Sequence, residues 1–150
     1  MNIENTIQRI REVAEGWGES LEPPASSSDI AEFKEKILLM CGGELPEEYF
    51  EFLKKLNGLE FNGLIIYGTK NSQTDPDGSP LDLIEMNEIM QDCSDVSRKE
   101  VVFIGEDSTG LLVYDLKQQE FQFRDRVGFD RTQSFSSFKD MVEAETAKVM

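Results

Sequence analysis

The chain has no histidine and only two cysteines among its 150 residues. Histidine is the commonest general base and metal ligand, so its absence excludes a Ser-His triad and removes the usual zinc chemistry. Cys41 and Cys93 stand 52 positions apart, and we expect two reduced thiols rather than a disulfide. Phosphate-binding, dinucleotide-binding and nucleophile-elbow motifs are also missing. The sequence therefore predicts no catalytic residues, no metal and no cofactor.

Long hydrophobic runs are missing as well. No apolar run exceeds five residues, which is too short for a transmembrane helix, and the first residues lack the layout of a signal peptide. We therefore expect a cytoplasmic protein. Hydrophobic residues nevertheless make up 39% of the chain, and ten phenylalanines are spread along it, so we expect one ordered domain over residues 1–150.

Positive charge is scarce. The chain has 15 Lys and Arg against 30 Asp and Glu, for a net charge of −15. Most of the excess lies in residues 12–32 and 75–107, which together carry −14. Such a surface repels nucleic acid and anionic membranes and attracts basic partners. It can equally serve solubility alone, and composition does not separate these two interpretations.

Helical spacing of apolar residues predicts two helices before residue 42. The first covers residues 2–15 and ends near Trp17. Trp17 itself either packs against the core, which we favour, or serves as an exposed anchor for a partner. Asp29 and Glu32 form the pattern of a capping box for the second helix, which runs to Cys41.

The sequence of residues 45–58 predicts a third helix, with signals for both its start and its end. Pro46 suits the first helical position because its missing N–H group costs nothing there. Asn57 and Gly58 offer a left-handed end. The apolar run of residues 64–68 follows directly and is typical of a buried strand.

The second half of the chain predicts strands between two helices. Helical spacing occurs in residues 83–90 and in 134–142. Strand-like runs with short gaps favour antiparallel pairing, and they cover residues 101–105, 111–115, 121–124 and, as an extension or edge, 129–132. Helices, then strands, then a helix favour an α+β fold, with one antiparallel-rich mixed sheet and helices packed around it.

Two loop segments suggest reactive sites but have simpler interpretations. Residues 75–79 suggest a calcium-binding loop with Gly78 at its sixth position. Gln73 and Ile84 would then stand at positions one and twelve, where such a loop requires Asp and Glu, so we predict a turn instead. Residues 106–110 could supply two carboxylates for acid–base catalysis. We favour a hairpin connection there, with Gly110 in an unusual backbone conformation.

Four segments of the chain contain degenerate motifs. Their order and spacing resemble those of the SUKH superfamily over about residues 28–142. This is the domain of the yeast cell-wall-assembly regulator and of many bacterial immunity proteins. The residues that carry the resemblance are Leu45, Pro46, Tyr49, Phe52, Leu53, Asn57, Gly58, Tyr67, Gly68, Asn87 and Gly110.

The resemblance implies a fold of about six strands in which these motif residues are structural, and it implies no catalysis. Bacterial members commonly bind and neutralise polymorphic toxins, often nucleases, so the resemblance implies a basic toxin as the protein partner. The alternative, suggested by the yeast member, is a regulatory or scaffold protein that coordinates other proteins, such as cell-wall synthesis factors.

We expect a partner to contact acidic loop residues, because loops carry function more often than the elements they connect. The candidates lie in the acid-rich second segment and are Asp75, Asp77, Asp82, Glu106 and Asp107. Their charge would also speed the capture of a basic partner.

Overall fold

The computed structural model describes residues 3–75, 77–92 and 100–150, and in these residues five helices pack around one six-stranded sheet. The helices are α1 (Glu4–Gly16), α2 (Ser27–Cys41), α3 (Glu47–Leu53), α4 (Leu83–Asp92) and α5 (Phe138–Val149). The strands are β1 (Leu59–Phe61), β2 (Leu64–Ile66), β3 (Val101–Glu106), β4 (Gly110–Asp115), β5 (Glu120–Asp125) and β6 (Arg131–Phe135). The predicted α+β fold is confirmed.

The sheet is a meander in which each strand pairs antiparallel with the next one in the chain. The sequence prediction missed β1. Asn62 and Gly63 connect β1 to β2, and both have positive φ angles, 49° and 90°. Two successive positive φ angles are the geometry of a type I′ hairpin turn, for which Asn-Gly is the preferred pair.

An aromatic cluster joins the sheet to the helices on one face. Phe121 of β5 lies 5.3 Å from Phe138 of α5, and Phe138 lies 5.6 Å from Tyr49 of α3, measured between ring centroids. Helix α5 contacts β2, β5 and β6, and both α1 and α3 pack against it. These buried rings fix the position of α3, which precedes the loops described below.

The opposite face is also covered at its centre, since every residue of β4 is buried. Phe129, in the β5–β6 turn, folds back so that its ring lies 5.7 Å from the ring of Phe103. The Arg124 guanidinium lies over Phe129 and pairs with Asp115 at 3.0 Å. A buried arginine–carboxylate pair and an aromatic ring thus close the second face.

Helix α4 lies along the edge of β3 that β2 leaves open. Strand β2 pairs with β3 only at Ile65–Glu106 and Ile66–Gly105. Further along β3, the side chain of Asn87 substitutes for a strand: its Oδ1 accepts the Phe103 N–H at 2.7 Å, and its Nδ2 donates to the Phe103 carbonyl at 2.8 Å. Asn87 is fully buried, so its amide satisfies backbone groups that water does not reach.

Several predicted element ends differ in the structure. The Ser26 side chain accepts the Asp29 N–H at 3.1 Å and caps α2, so the assignment of Asp29 as the cap was wrong. Pro46 is the capping residue of α3 rather than its first helical residue, and the helix ends at Leu53, well before the predicted residue 58. Serine competes well for caps because its short hydroxyl reaches the exposed N–H groups.

The C-terminal helix and the β3–β4 turn also differ from expectation. Phe135 is the last residue of β6, and α5 begins at Phe138, with Ser137 as its cap. Gly110 does not have a positive φ angle. A Cβ atom at this position would lie 2.6 Å from the Arg124 carbonyl oxygen and 2.4 Å from the Phe123 ring, so close packing against β5 is what requires glycine.

The Cys41 thiol is buried, donates to the Ile37 carbonyl at 3.2 Å, and has a pKa raised above its usual value by burial. Cys93 lies outside the described residues, and the expectation of two reduced thiols therefore stays a prediction.

Candidate partner-binding surface

One buried carboxylate fixes the course of the polar loop between β2 and α4. Glu22, only 8% exposed, accepts hydrogen bonds from the Ser72 hydroxyl at 2.7 Å and the Gln73 N–H at 2.8 Å. It also accepts the Thr74 hydroxyl. The segment before α2 therefore holds the loop from the inside, and the loop presents a defined surface.

This loop forms one wall of a groove of about 370 Å³. The other walls are the segment from Glu19 to Glu22 and the β1–β2 hairpin, which contributes Glu60. Four acids line the groove and no base does: Glu19, Glu22, Glu60 and Asp75. The groove is the concave part of the acidic surface that the composition predicts.

Trp17 stands two residues before the groove. Its environment combines the two predicted alternatives, packing against the core and exposure to a partner. Its ring stacks on Phe61 with centroids 5.4 Å apart and an angle of 12° between the planes. The residue is nevertheless 52% exposed. Trp17 is therefore packed on one ring face and open to solvent elsewhere.

The structure places the five predicted contact acids in different environments. Asp75 and Asp77 are exposed on the loop, and the Gly78 N–H donates to the Asp75 carbonyl at 3.0 Å, which is the bond of the predicted turn. The Asp82 carboxylate is half-buried and accepts the Glu85 N–H at 3.1 Å, where it caps α4. Asp75 and Asp77 are thus free to face a partner, whereas Asp82 has a structural bond.

Glu106 is the last residue of β3, Asp107 is the first residue of the β3–β4 turn, and both make hydrogen bonds within the protein. Glu106 accepts the Tyr67 hydroxyl at 3.0 Å and lies 3.7 Å from Arg126. Asp107 is 5% exposed, and its Oδ1 accepts the N–H groups of Thr109 at 2.7 Å and Gly110 at 2.8 Å. This arrangement fits a turn residue and leaves Asp107 little surface for a partner.

Glu145 of α5 and Asp107 are neighbouring buried carboxyl groups, and Lys148 lies near both of them. Burial raises the pKa of Glu145 to about 7, and the hydrogen bond to Asp107 adds to this, while Lys148, 2.8 Å away, acts in the opposite direction. Burial alone would raise the pKa of Asp107, but the bonds it accepts from Glu145, Thr109 and Gly110 bring it below its usual value. The two shifts have opposite directions, so Glu145 holds its proton to a higher pH than Asp107 does.

A hydrogen-bonded pair of tyrosines connects α3 to the sheet. The Tyr49 hydroxyl donates to the Tyr67 carbonyl at 2.6 Å, and the Tyr67 hydroxyl donates to Glu106. Burial raises the pKa of both phenols, and the nearby Glu106 carboxylate adds to the effect at Tyr67. Two of the predicted motif residues thus act together as a link between elements.

Replacing Tyr49 with phenylalanine should lower the free energy of unfolding by about 1–2 kcal/mol, because the buried Tyr67 carbonyl loses its hydroxyl partner. Urea denaturation followed by circular dichroism measures the change. Tyr114→Phe is the matched control, because the described residues give its hydroxyl no hydrogen-bond partner. Equal effects of the two substitutions would contradict the proposed role of the link.

Asn57, Gly58 and Gly68 form a close backbone crossing after α3. Asn57 Oδ1 accepts the Thr69 N–H at 2.9 Å, and Gly58 has a φ angle of 95°. A Cβ atom on Gly68 would lie 2.7 Å from the Asn57 carbonyl carbon. The crossing needs the small residues for geometric reasons, while the motif residues Leu45, Phe52 and Leu53 are buried in the core.

Sequence reasoning missed Glu22, Glu60 and Glu145. Glu22 precedes two prolines, and Glu145 lies on the apolar face of α5, so a carboxylate among core positions was the available signal for Glu145. Glu60 was missed together with β1. Among the described residues, no group of three His, Cys, Asp or Glu is arranged to hold a metal ion.

The described residues contain no helix with the length and apolar character needed to cross a membrane. The architecture is an α+β domain whose buried polar groups hold its own loops and strand edges. Residues 28–122 match the SUKH_6 family model, described as SMI1-KNR4 cell-wall, and the chain belongs to this family. No curated protein matches the chain.

The SUKH family includes immunity proteins and SMI1/KNR4-like proteins. Its members are protein-interaction modules and are generally not enzymes.

Proposed function

We propose that the chain is a bacterial immunity protein of the cytoplasm that binds and neutralises a basic, nuclease-type toxin without catalysis. The observation that supports this proposal is the groove lined by four acids and no base, in a member of a family of interaction modules. A nuclease presents positive charge to its substrate, so an acidic protein can occupy that same surface.

The contacts proposed for the toxin are the exposed loop acids Asp75 and Asp77. Both are open to solvent on a loop that Glu22 holds in place. Asp82 and Glu106 are half-buried, and their charge adds to the field that attracts a basic protein. Asp107 is left out of the proposed contacts because its carboxylate is buried in the turn.

The test is to search beside this chain's gene for an encoded toxin-like protein and to measure whether the chain neutralises it. Co-expression should restore growth, and the purified chain should remove nuclease activity at equal molar amounts. The double substitution Asp75→Lys, Asp77→Lys should lower the association rate about tenfold at low salt and much less at high salt, as measured by stopped-flow fluorescence.

The matched control is Glu35→Lys, Glu44→Lys, which makes the same change of charge at exposed positions outside the loop. If the two double variants associate equally fast, the loop contacts are wrong. If the unaltered chain forms no complex and gives no protection, the immunity function itself is wrong.

A second candidate function is a regulatory or scaffold protein that coordinates other cellular proteins. The matching family model is described as SMI1-KNR4 cell-wall, which favours such a role. A pull-down from the source cell distinguishes the two functions. Retention of a cell-wall synthesis factor would support the regulatory role, and retention of a basic toxin would support immunity.

A further inference from the structure

Trp17 is an unusual aromatic residue in this chain. It is the single tryptophan and is 52% exposed, whereas Tyr49, Phe52 and Phe61 are fully buried. A large aromatic side chain left half open is a common centre of a protein–protein interface, where tryptophan contributes more per residue than most side chains.

The position of the Trp17 ring is fixed before any partner arrives. One face of the ring stacks on buried Phe61, and the backbone N–H of Trp17 donates to the carbonyls of Val13 and Ala14, which fixes the backbone at the end of α1. Gly18, with a φ angle of 74°, then turns the chain toward the groove. A side chain held in this way loses little conformational freedom on binding, which favours affinity.

The groove that begins two residues after Trp17 carries charges with no ion-pair partner among the described residues. Glu19, Glu60 and Asp75 are exposed on the groove, and the described residues form no ion pair with them. Two exposed acids on α3, in comparison, have lysine partners: Glu47 lies 3.1 Å from Lys34, and Glu51 lies 2.9 Å from Lys54. The half-open Trp17 ring is thus followed, two residues along the chain, by a groove whose carboxylates no described cation pairs with.

We propose that Trp17 and the groove beside it form the docking surface for a basic segment of a partner protein. An arginine or lysine side chain of that segment lies on the open face of the Trp17 ring, and neighbouring cationic side chains pair with Glu19, Glu60 and Asp75. This proposal rests on the proposed function and adds the surface and the chemistry of the partner to it.

Two physical arguments select a basic protein segment as the occupant. A guanidinium or ammonium group is attracted to the face of an indole ring, most strongly where water is partly excluded. The same carboxylates repel phosphate-bearing ligands, which argues against nucleic acid.

The test uses a deca-arginine peptide as the probe and the intact chain at low salt. Since Trp17 is the single tryptophan, intrinsic fluorescence reports on this surface alone. Its emission should change saturably with deca-arginine and stay constant with a neutral Gly-Ser peptide of equal length. Binding of labelled deca-arginine, measured by anisotropy without any change in Trp17 emission, would overturn the proposal.

Two variants locate the binding on the surface. The groove variant Glu19→Gln, Glu60→Gln, Asp75→Asn should bind labelled deca-arginine about tenfold more weakly than the control variant Glu35→Gln, Glu44→Gln, Glu88→Gln, which removes the same charge from other exposed positions. Trp17→Leu, which keeps an apolar side chain over Phe61, should also weaken binding about tenfold. Equal affinities of the groove and control variants would overturn the proposal, even if Trp17→Leu did not fold.

The peptide titration needs no toxin, so it tests the surface separately from the immunity function. If the chain binds deca-arginine as expected but leaves the toxin active, the docking surface is supported and the immunity function is contradicted. If the groove and control variants neutralise a toxin equally well, the immunity function stands and the docking surface is wrong.

Discussion

Replacing Asn87 with alanine should lower the free energy of unfolding by about 3 kcal/mol. The Asn87 amide pairs with both the N–H and the carbonyl of Phe103, and its Nδ2 also donates to the Leu83 carbonyl at 2.8 Å. Alanine leaves the Phe103 groups buried without a partner. The higher helix propensity of alanine offsets only a few tenths of a kcal/mol.

Urea denaturation measures this loss directly, and a thermal scan should show a decrease in Tm of roughly 10 °C for a domain of this size. The matched control is Glu88→Ala, one residue further along α4, where the side chain is exposed. The control should change stability by less than about 0.5 kcal/mol. A similar small change for Asn87→Ala would show that α4 does not depend on the amide to hold the edge of β3.

The resemblance to the SUKH superfamily identified Asn87 as a structural residue but did not predict its hydrogen bonds. The sequence marks this asparagine as a structural motif residue, but its chemical task depends on how far β2 extends along β3. The length of β2 is a property of the whole sheet and is not encoded near residue 87. Strands β3, β4 and β5 were predicted because each has an apolar run bounded by turn residues.

The misplaced elements are those whose local sequence signal was too short or was shared by two neighbouring residues. Strand β1 has three residues, too few for a periodic pattern, although the Asn62-Gly63 pair that follows is a strong hairpin signal. Ser26 and Asp29 are both good capping residues, and packing of the preceding proline segment decides between them. Short strands and neighbouring caps are therefore the places where tertiary contacts overrode the local pattern.

The candidate surface was predictable in its charge and less so in its geometry. Composition located the acid-rich segments, but it did not separate exposed Asp75 from buried Asp107, since both stand in polar loops. The groove brings together Glu19, Glu60 and Asp75 from three distant parts of the chain. Such proximity follows from the β1–β2 hairpin and the Glu22 tether, which only the folded chain shows.

Glu145→Gln should remove a pH dependence that the buried carboxyl pair gives to folding. The pKa of Glu145 rises from 4.5 to about 7 in the folded chain, so between these pH values the native state binds more protons than the unfolded state. Stability from this group is fully present below pH 4.5 and falls as pH rises toward 7. A rise in pKa from 4.5 to about 7 corresponds to about 3.4 kcal/mol, because one pKa unit is about 1.4 kcal/mol, and solvent screening lowers the expected total to roughly 2–3 kcal/mol.

Glutamine at position 145 has nearly the same shape as glutamate and does not ionise. The difference in unfolding free energy, variant minus unaltered chain, should therefore increase from pH 4.5 to pH 7 and stay constant above it. Urea denaturation at several pH values measures this difference, which cancels the titration of the other carboxylates. Glu35→Gln, at an exposed position on α2, is the control and should give a difference that does not change with pH.

A second variant identifies the partner that raises the pKa of Glu145. Asp107→Asn keeps an oxygen acceptor for Thr109 and Gly110 but removes the negative charge opposite Glu145. The pKa of Glu145 should then fall, and the pH dependence should shrink without vanishing, since burial is the larger cause. An unchanged pH profile in Asp107→Asn would show that burial acts alone. A flat difference for Glu145→Gln would show that Glu145 is ionised in the folded chain, with Lys148 as its sufficient partner.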